Sequence, residues 1–187
     1  MKIMLRDVRL AFPNIWKASA PKGGGEIAFS ASFLMPPTHK QVAELKKAFA
    51  ALAAEKWGVK GPQILKAMEA ADKLCLHNGD AKSEFEGYEG NLYVSSRSKV
   101  RPSVFDGQRQ DLTEADGKPY SGCFVNASIE LWAQDNDYGK RINAQLRGVQ
   151  FLRDGDAFAG GARPADADEF DEIGTADEAG EEVDITA

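Results

Sequence analysis

Apolar and polar positions alternate through residues 3–12 (IMLRDVRLAF), which predicts a strand with a bulge near Asp7 and an end at Pro13. A second alternating run, 26–35 (EIAFSASFLM), puts Ile27, Phe29, Ala31, Phe33 and Met35 on one face. The Gly-rich KASAPKGGGE at 17–26 joins the two as a hairpin loop. Pro36-Pro37 then stops the strand, and Thr38 with Gln41 predicts a capping box opening a helix that runs to about Trp57. Val42, Leu45, Phe49 and Leu52 repeat at helical spacing, with Trp57 as a packing residue at the helix end. Gly58 and Gly61-Pro62 break that helix, and a second spans 62–73 with Ile64, Leu65 and Met68 as core contacts.

Beyond residue 73 the period returns to two. Strands are predicted at 74–78, 91–100, 122–134 and 141–152, separated by Gly-, Asn- and Asp-rich turns. The inward positions are Cys123, Val125, Ala127, Ile129 and Leu131 on one strand, and Ile142, Ala144 and Leu146 on the next, with a bulge at Gly148. Two strands, a helical insertion and a meander give a mainly β chain with inserted helices (α+β). The expected architecture is an OB-like five-stranded β-barrel with the helical insertion after the second strand. The domain is expected over 1–160.

One strand is unusual. In NLYVSSRSKVRP, residues 91–102, one face carries Leu92, Val94, Ser96, Ser98 and Val100, and the other Tyr93, Ser95, Arg97, Lys99 and Arg101. That second face is a ring followed by three cations, roughly 26 Å long at about 3.3 Å per residue. The 141–152 strand adds outward Arg141 and Arg147, with Asn143 and Gln145 between them, and Phe105, Tyr120 and Tyr138 lie in the loops. A positive groove lined with rings suits single-stranded nucleic acid, whose phosphates pair with Arg and Lys while unstacked bases lie on aromatic faces. Tyr93 is the expected base platform at one end. Duplex recognition calls for a basic helix or ribbon, and neither helix is basic along a face. RNA stays open beside DNA, because nothing visible reads a 2′-hydroxyl.

Charge divides the 187-residue chain in two. The net charge is −6, from 23 basic and 29 acidic residues. Ten of the acids fall between Pro164 and Ala187, where there is no Lys or Arg, so residues 1–163 hold 23 basic against 19 acidic residues, a net +4. Residues 161–187 form an acidic C-terminal tail with few large apolar residues, and the composition predicts disorder there. Such a tail competes with an anionic ligand or docks on partners.

Other chemistries find little support. The two cysteines, Cys75 and Cys123, read as small buried residues, and with His39 and His77 they lack the paired spacing of a zinc site. Three consecutive glycines, Gly23 to Gly25, have no following Lys-Ser/Thr and open no helix, so they form no phosphate-binding loop. The body's acids sit mostly in turns, and no nucleophile with a base or paired carboxylates stands out, so the chain reads as a non-enzyme. DNDYG at 135–139 lacks the downstream Glu of a calcium loop and reads as a tight turn. The apolar runs are too short to span a membrane, and Asp7 and Arg9 interrupt the N-terminal region where a signal peptide would be apolar, so the expected address is the cytoplasm.

NLYVSSRSKVRP, followed by DGKPYSGCFVNASIELWAQDN and GKRINAQLRGVQFLRDGDAF, resembles the phage single-stranded DNA-binding proteins built from one OB fold and an acidic tail. The resemblance covers residues 1–160. It implies a protein that coats single-stranded DNA in phage replication or recombination and uses no cofactor. The implied partners are a phage polymerase, helicase or recombination protein, reached through tail residues Asp168, Glu169, Phe170, Asp171 and Glu172; self-association is left open. Phe170 or Ile185 is the candidate apolar anchor of that tail, which ends VDITA. Two rivals are an acidic scaffold or DNA mimic acting through the tail, and a metal-dependent nuclease using the turn carboxylates.

Overall fold

The computed structural model describes residues 1–158. Its first strand, β1 (Lys2–Ser19), is long enough to serve two neighbours. The first half pairs antiparallel with β6 (Phe124–Asn136), Ile3 opposite Ile129. The second half pairs antiparallel with β2 (Ala28–Met35), Leu10 opposite Phe33. Next to β2 lies β4 (Leu92–Ser98), Phe33 opposite Val94. β7 (Gly139–Arg153) pairs antiparallel with β6 and meets β4 in parallel where Arg97 faces Gln145. That contact closes the ring β1-β2-β4-β7-β6-β1, a five-stranded OB-like barrel. Two short strands extend its edges: β3 (Leu76–Asn78) on β4 and β5 (Ser103–Phe105) on β7.

The inward faces are those the alternation predicts. Cys123, Val125, Ala127, Ile129 and Leu131 are fully buried, as is Ile142, with Ala144 and Leu146 nearly so. Between β2 and β3 come α1 (Lys40–Trp57) and α2 (Gly61–Ala70). α1 packs against β6 and β1, and its Val42, Leu45, Phe49 and Leu52 join the barrel core. Each such side chain contributes about 1.5–3 kcal/mol when fully buried. Met68 of α2 is buried beside them, with Ile64 and Leu65 partly covered. Among the described residues, no helix is long and apolar enough to cross a membrane.

Bulges account for the remaining departures from regularity. The β1 register slips between Leu5 and Val8, and Asp7 adopts a φ of 53°, as expected near that residue. Pro13 does not end the strand. It sits in a second irregularity, between Ala11 and Asn14, where a missing N–H breaks no ladder bond, and β1 runs on to Ser19. In β7 the extra residue is Arg147, since Ser128 faces Gly148 while Ile129 faces Leu146. The inward parity therefore changes from Leu146 to Val149. The Thr38–Gln41 capping box is replaced: His39 is the N-cap, its Nδ1 accepting from the Gln41 N–H at 3.2 Å. Ile27 is 64% exposed, because β2 begins one residue later.

After β7 the chain folds back across the barrel. Gly122 has a φ of 106°, and a Cβ there would lie 2.2 Å from the Asp156 carbonyl oxygen, so only glycine lets the returning segment approach. The Arg9 guanidinium donates to the carbonyls of Gly122 (2.9 Å) and Asp156 (2.8 Å) and lies 4.3 Å from the Phe158 ring centroid. Phe158 completes a second apolar cluster with Ala11, Leu34, Tyr88 and Tyr93. The predicted tail, 161–187, lies outside the described residues.

Candidate nucleic-acid interface

The parallel contact of β4 and β7 aligns their outward side chains, and three adjoining cavities follow from it. The first, about 620 Å³, is lined by Arg97, Lys99, Arg141, Lys73, His77 and Trp132. The second, about 520 Å³, holds Arg101, Phe105 and Arg147 and shares Ser98, Val100 and Gln145 with the first. The third, about 570 Å³, shares Phe105, Ser128 and Gly148 with the second and adds Arg109. Together they form one trough that tracks β7 from Arg141 to Gln150, roughly 30 Å at about 3.3 Å per residue. Arg97, Lys99, Arg101, Phe105, Arg141 and Arg147, all singled out from the sequence, line it.

The cations are held in place yet accessible. Lys99 Nζ lies 2.7 Å from a Glu26 carboxylate oxygen, and the Arg97 guanidinium donates to the Glu26 carbonyl at 2.7 Å. Arg147 pairs with Glu130 at 2.6 Å from its place on the bulge, and Arg101 lies 5.5 Å from the Trp16 ring centroid. Among the described residues, Arg141 and Lys73 have no carboxylate within ion-pair distance. Exposed ion pairs of this kind are worth about 0–1 kcal/mol, so a phosphate can replace the carboxylate at little cost.

The rings are arranged differently from the sequence expectation. Tyr93 is only 6% exposed. Its ring stacks on His77 (centroids 4.9 Å apart, 28° between planes), meets Tyr88 edge-on at 5.0 Å, and has Lys82 Nζ 4.9 Å from its centroid. The loop between β3 and β4 covers it, so it is not a base platform. Tyr120 is also buried, its hydroxyl donating to Asp154 Oδ1 at 2.7 Å and accepting from the Gly155 N–H at 3.2 Å; it anchors the returning segment. Tyr138 is exposed at the tip of the β6–β7 hairpin, outside the three cavities. The ring that does face the first cavity is Trp132, 45% exposed. It is one residue out of phase with the inward Ile129–Leu131 series, so its outward position was readable from the alternation. Lys73 and Arg109 were missed because loops bring them to the trough.

The fold also assembles a constellation invisible in the sequence. Asp72 Oδ1 lies 2.7 Å from His77 Nδ1, and His77 Nε2 lies 3.0 Å from Ser95 Oγ, at the wall of the first cavity. The order is that of an acid–base–nucleophile triad. The Ser95 N–H, however, donates to the Cys75 carbonyl at 2.9 Å and is not available to an oxyanion. The arrangement fixes the imidazole and its stacking on Tyr93. Burial pushes the thiols up, to about 12 at Cys75 and about 11 at Cys123, so both stay protonated and weakly nucleophilic at neutral pH. Among the described residues, no three His, Cys, Asp or Glu side chains gather as a metal site.

Known proteins share this architecture. Protein p50 of Acyrthosiphon pisum secondary endosymbiont phage 1 is 44% identical over 181 residues, covering 95% of this chain and 97% of that relative. The single-stranded DNA-binding protein from bacteriophage Enc34, in its complex with ssDNA, superposes with a TM-score of 0.70 at 28% identity, over 84% of this chain and 89% of that one. The single-stranded DNA-binding protein gp2.5 of bacteriophage T7 gives 0.52 at 13% identity, over 92% and 98% of the two chains, and supports the fold alone. The family described as Enterobacter phage Enc34, ssDNA-binding protein, matches residues 1–182. With a closed OB-like barrel and that match over nearly its whole length, the chain belongs to this family of phage single-stranded DNA-binding proteins, which are binding proteins rather than enzymes.

Proposed function

We propose that this protein binds single-stranded DNA along the β4–β7 trough and coats strands exposed during phage replication and recombination. The observation that carries the reading is the trough itself. Arg97, Lys99, Arg101, Arg141 and Arg147 follow one another along adjoining cavities, with Trp132 and Phe105 as the rings among them. Cations spaced along a groove neutralise phosphates without regard to sequence, and exposed rings accept bases of any kind. The Enc34 relative, solved with ssDNA, has the same barrel. The tail belongs to the same reading. Its ten carboxylates compete with DNA for the trough, and Asp168, Glu169, Phe170, Asp171 and Glu172 offer a polymerase, helicase or recombination protein an acidic hook around one ring.

Fluorescence titrations of the full chain with labelled single strand, duplex and RNA, repeated over a salt series, test the proposal. Single-stranded DNA is expected to bind most tightly. If about four phosphates are neutralised, log K should fall against log[salt] with a slope near −3, at about −0.7 per phosphate. An affinity that ignores salt, or that favours duplex, would refute it.

A further inference from the structure

The third cavity differs in chemistry from the rest of the trough. Its walls are Met4, 43% exposed, and the Phe105 ring, which also borders the middle cavity. Four of its other lining residues are primary amides, Gln108, Gln110, Asn126 and Gln150, beside Arg109, Ser128, Gly148 and Val149. Asn126 Nδ2 donates to Gln150 Oε1 at 3.1 Å, and Gln150 Nε2 donates to the Asp106 carbonyl at 3.2 Å. The Asp7 N–H donates to Asn126 Oδ1 at 3.1 Å. These bonds use one hydrogen on each NH₂ and one lone pair on each oxygen, so both amides keep a donor and an acceptor in reserve.

The turn at 106–110 that lines the cavity is held by its own hydrogen bonds. Asp106 Oδ1 accepts from the N–H groups of Gln108 and Gln110, each at 2.8 Å, and Asp106 N donates to the Gln110 carbonyl at 2.9 Å. Arg109 is held at a φ of 66°, a conformation that a non-glycine residue adopts only at a cost. The Gln108 and Gln110 side chains, in contrast, are exposed and make no hydrogen bond among the described residues. A cavity of about 570 Å³ with two apolar walls and converging donors and acceptors has the size and make-up of a small-ligand site. A planar ring with hydrogen-bonding edges fits it, and the trough delivers such rings to its mouth.

We infer that this cavity, between Phe105 and Gln150, is a nucleobase-reading subsite that gives an otherwise sequence-tolerant groove a base preference. The inference rests on the single-strand reading proposed above. Phe105 and Met4 flank the base, and the Gln108 and Gln110 amides meet its edge as amide side chains do on bases elsewhere.

The test uses the full chain with oligo(dT), oligo(dA) and oligo(dC) of equal length at one salt concentration. The wild type should spread their affinities by about fivefold or more, the lower end of what one amide–base pairing discriminates. The double variant Gln108→Ala/Gln110→Ala should compress that spread with the salt slope and melting temperature unchanged, since those side chains carry no charge and no packing. Photocrosslinking of an oligonucleotide bearing 5-iododeoxyuridine should label peptides containing Met4 or Phe105. A wild type with no spread, a spread that survives the double variant, or crosslinks confined to the Trp132 cavity would overturn the subsite and leave single-strand binding standing. Failure of every oligonucleotide to bind would overturn both.

Discussion

Trp132 stands on the outer side of β6, next to Leu131, which is fully buried on the inner side. Its exposed indole borders the cavity that holds Arg97 and Arg141, so a base over the ring leaves its phosphate near a guanidinium. Trp132→Ala should therefore cost about 1–3 kcal/mol of single-strand binding, and Trp132→Phe much less, because a π-face survives. Tyr93→Ala should behave in the opposite way. It removes a ring packed against His77, Tyr88 and Leu34, and large buried aromatics cost about 3–5 kcal/mol of folding stability when cut to alanine. Thermal melting and fluorescence titration of the two variants separate these effects. A Tyr93→Ala protein that melts normally but binds poorly would reverse the assignment. Alternation told which way each side chain leaves its strand, and it did so correctly for Tyr93, Arg97 and Leu131. What covers an outward side chain is a different matter. Tyr93 is hidden by residues 79–91 and by Phe158, brought to it by the fold rather than by spacing.

The loop between β1 and β2 is the element that meets the cations from above. Gly23, Gly24 and Gly25 take φ values of 97°, 89° and 132°, a run that other residues would resist. Near the end of the loop stands Glu26, whose carboxylate sits on Lys99 and whose carbonyl receives Arg97. On the proposed reading Glu26 holds the place of a phosphate in the free protein, and a bound strand displaces it. Glu26→Gln should tighten single-strand binding, by up to about fivefold for an exposed pair worth no more than about 1 kcal/mol. It should also steepen the salt slope by up to about 0.7, because one more cation is free to neutralise a phosphate. Unchanged or weaker binding would show that Glu26 supports the groove instead of competing for it. At this scale the strands, the two helices and the bulge at Asp7 were legible, since each leaves a periodic or steric mark. The continuation of β1 past Pro13 was not, because a proline at a bulge and a proline at a strand end look alike in sequence. The short β5, three residues long, carries too little pattern to be seen.

For the whole molecule, β7 closes the ring through a parallel contact with β4, at Arg97 and Gln145, and a second parallel bridge from Leu74 to Ile142. Alternation gives each strand its faces but not its neighbours, so the barrel was inferred from strand count and the trough from two basic strands that happened to be adjacent. Charge is the one global property that the sequence states outright: +4 over residues 1–163 against ten carboxylates between Pro164 and Ala187. Phe158, the last described residue, belongs to the buried cluster that contains Tyr93, and Tyr93 stacks on His77, which lines the first cavity. On the competition proposed above, a tethered polyanion occupies the cations for part of the time, and DNA affinity falls by the fraction of molecules left open. Ending the chain after Arg163 should therefore tighten single-strand binding, most at low salt, where the attraction is least screened. The advantage over the full chain should shrink as salt rises, because the competitor weakens along with the ligand. Phe170→Ala in the full chain should leave this competition almost untouched, since no charge changes, while weakening capture of a replication partner if that ring is the hook. Titrating both variants from low to moderate salt decides the matter. A truncated chain with unchanged or weaker affinity at low salt would leave the tail with partner binding alone.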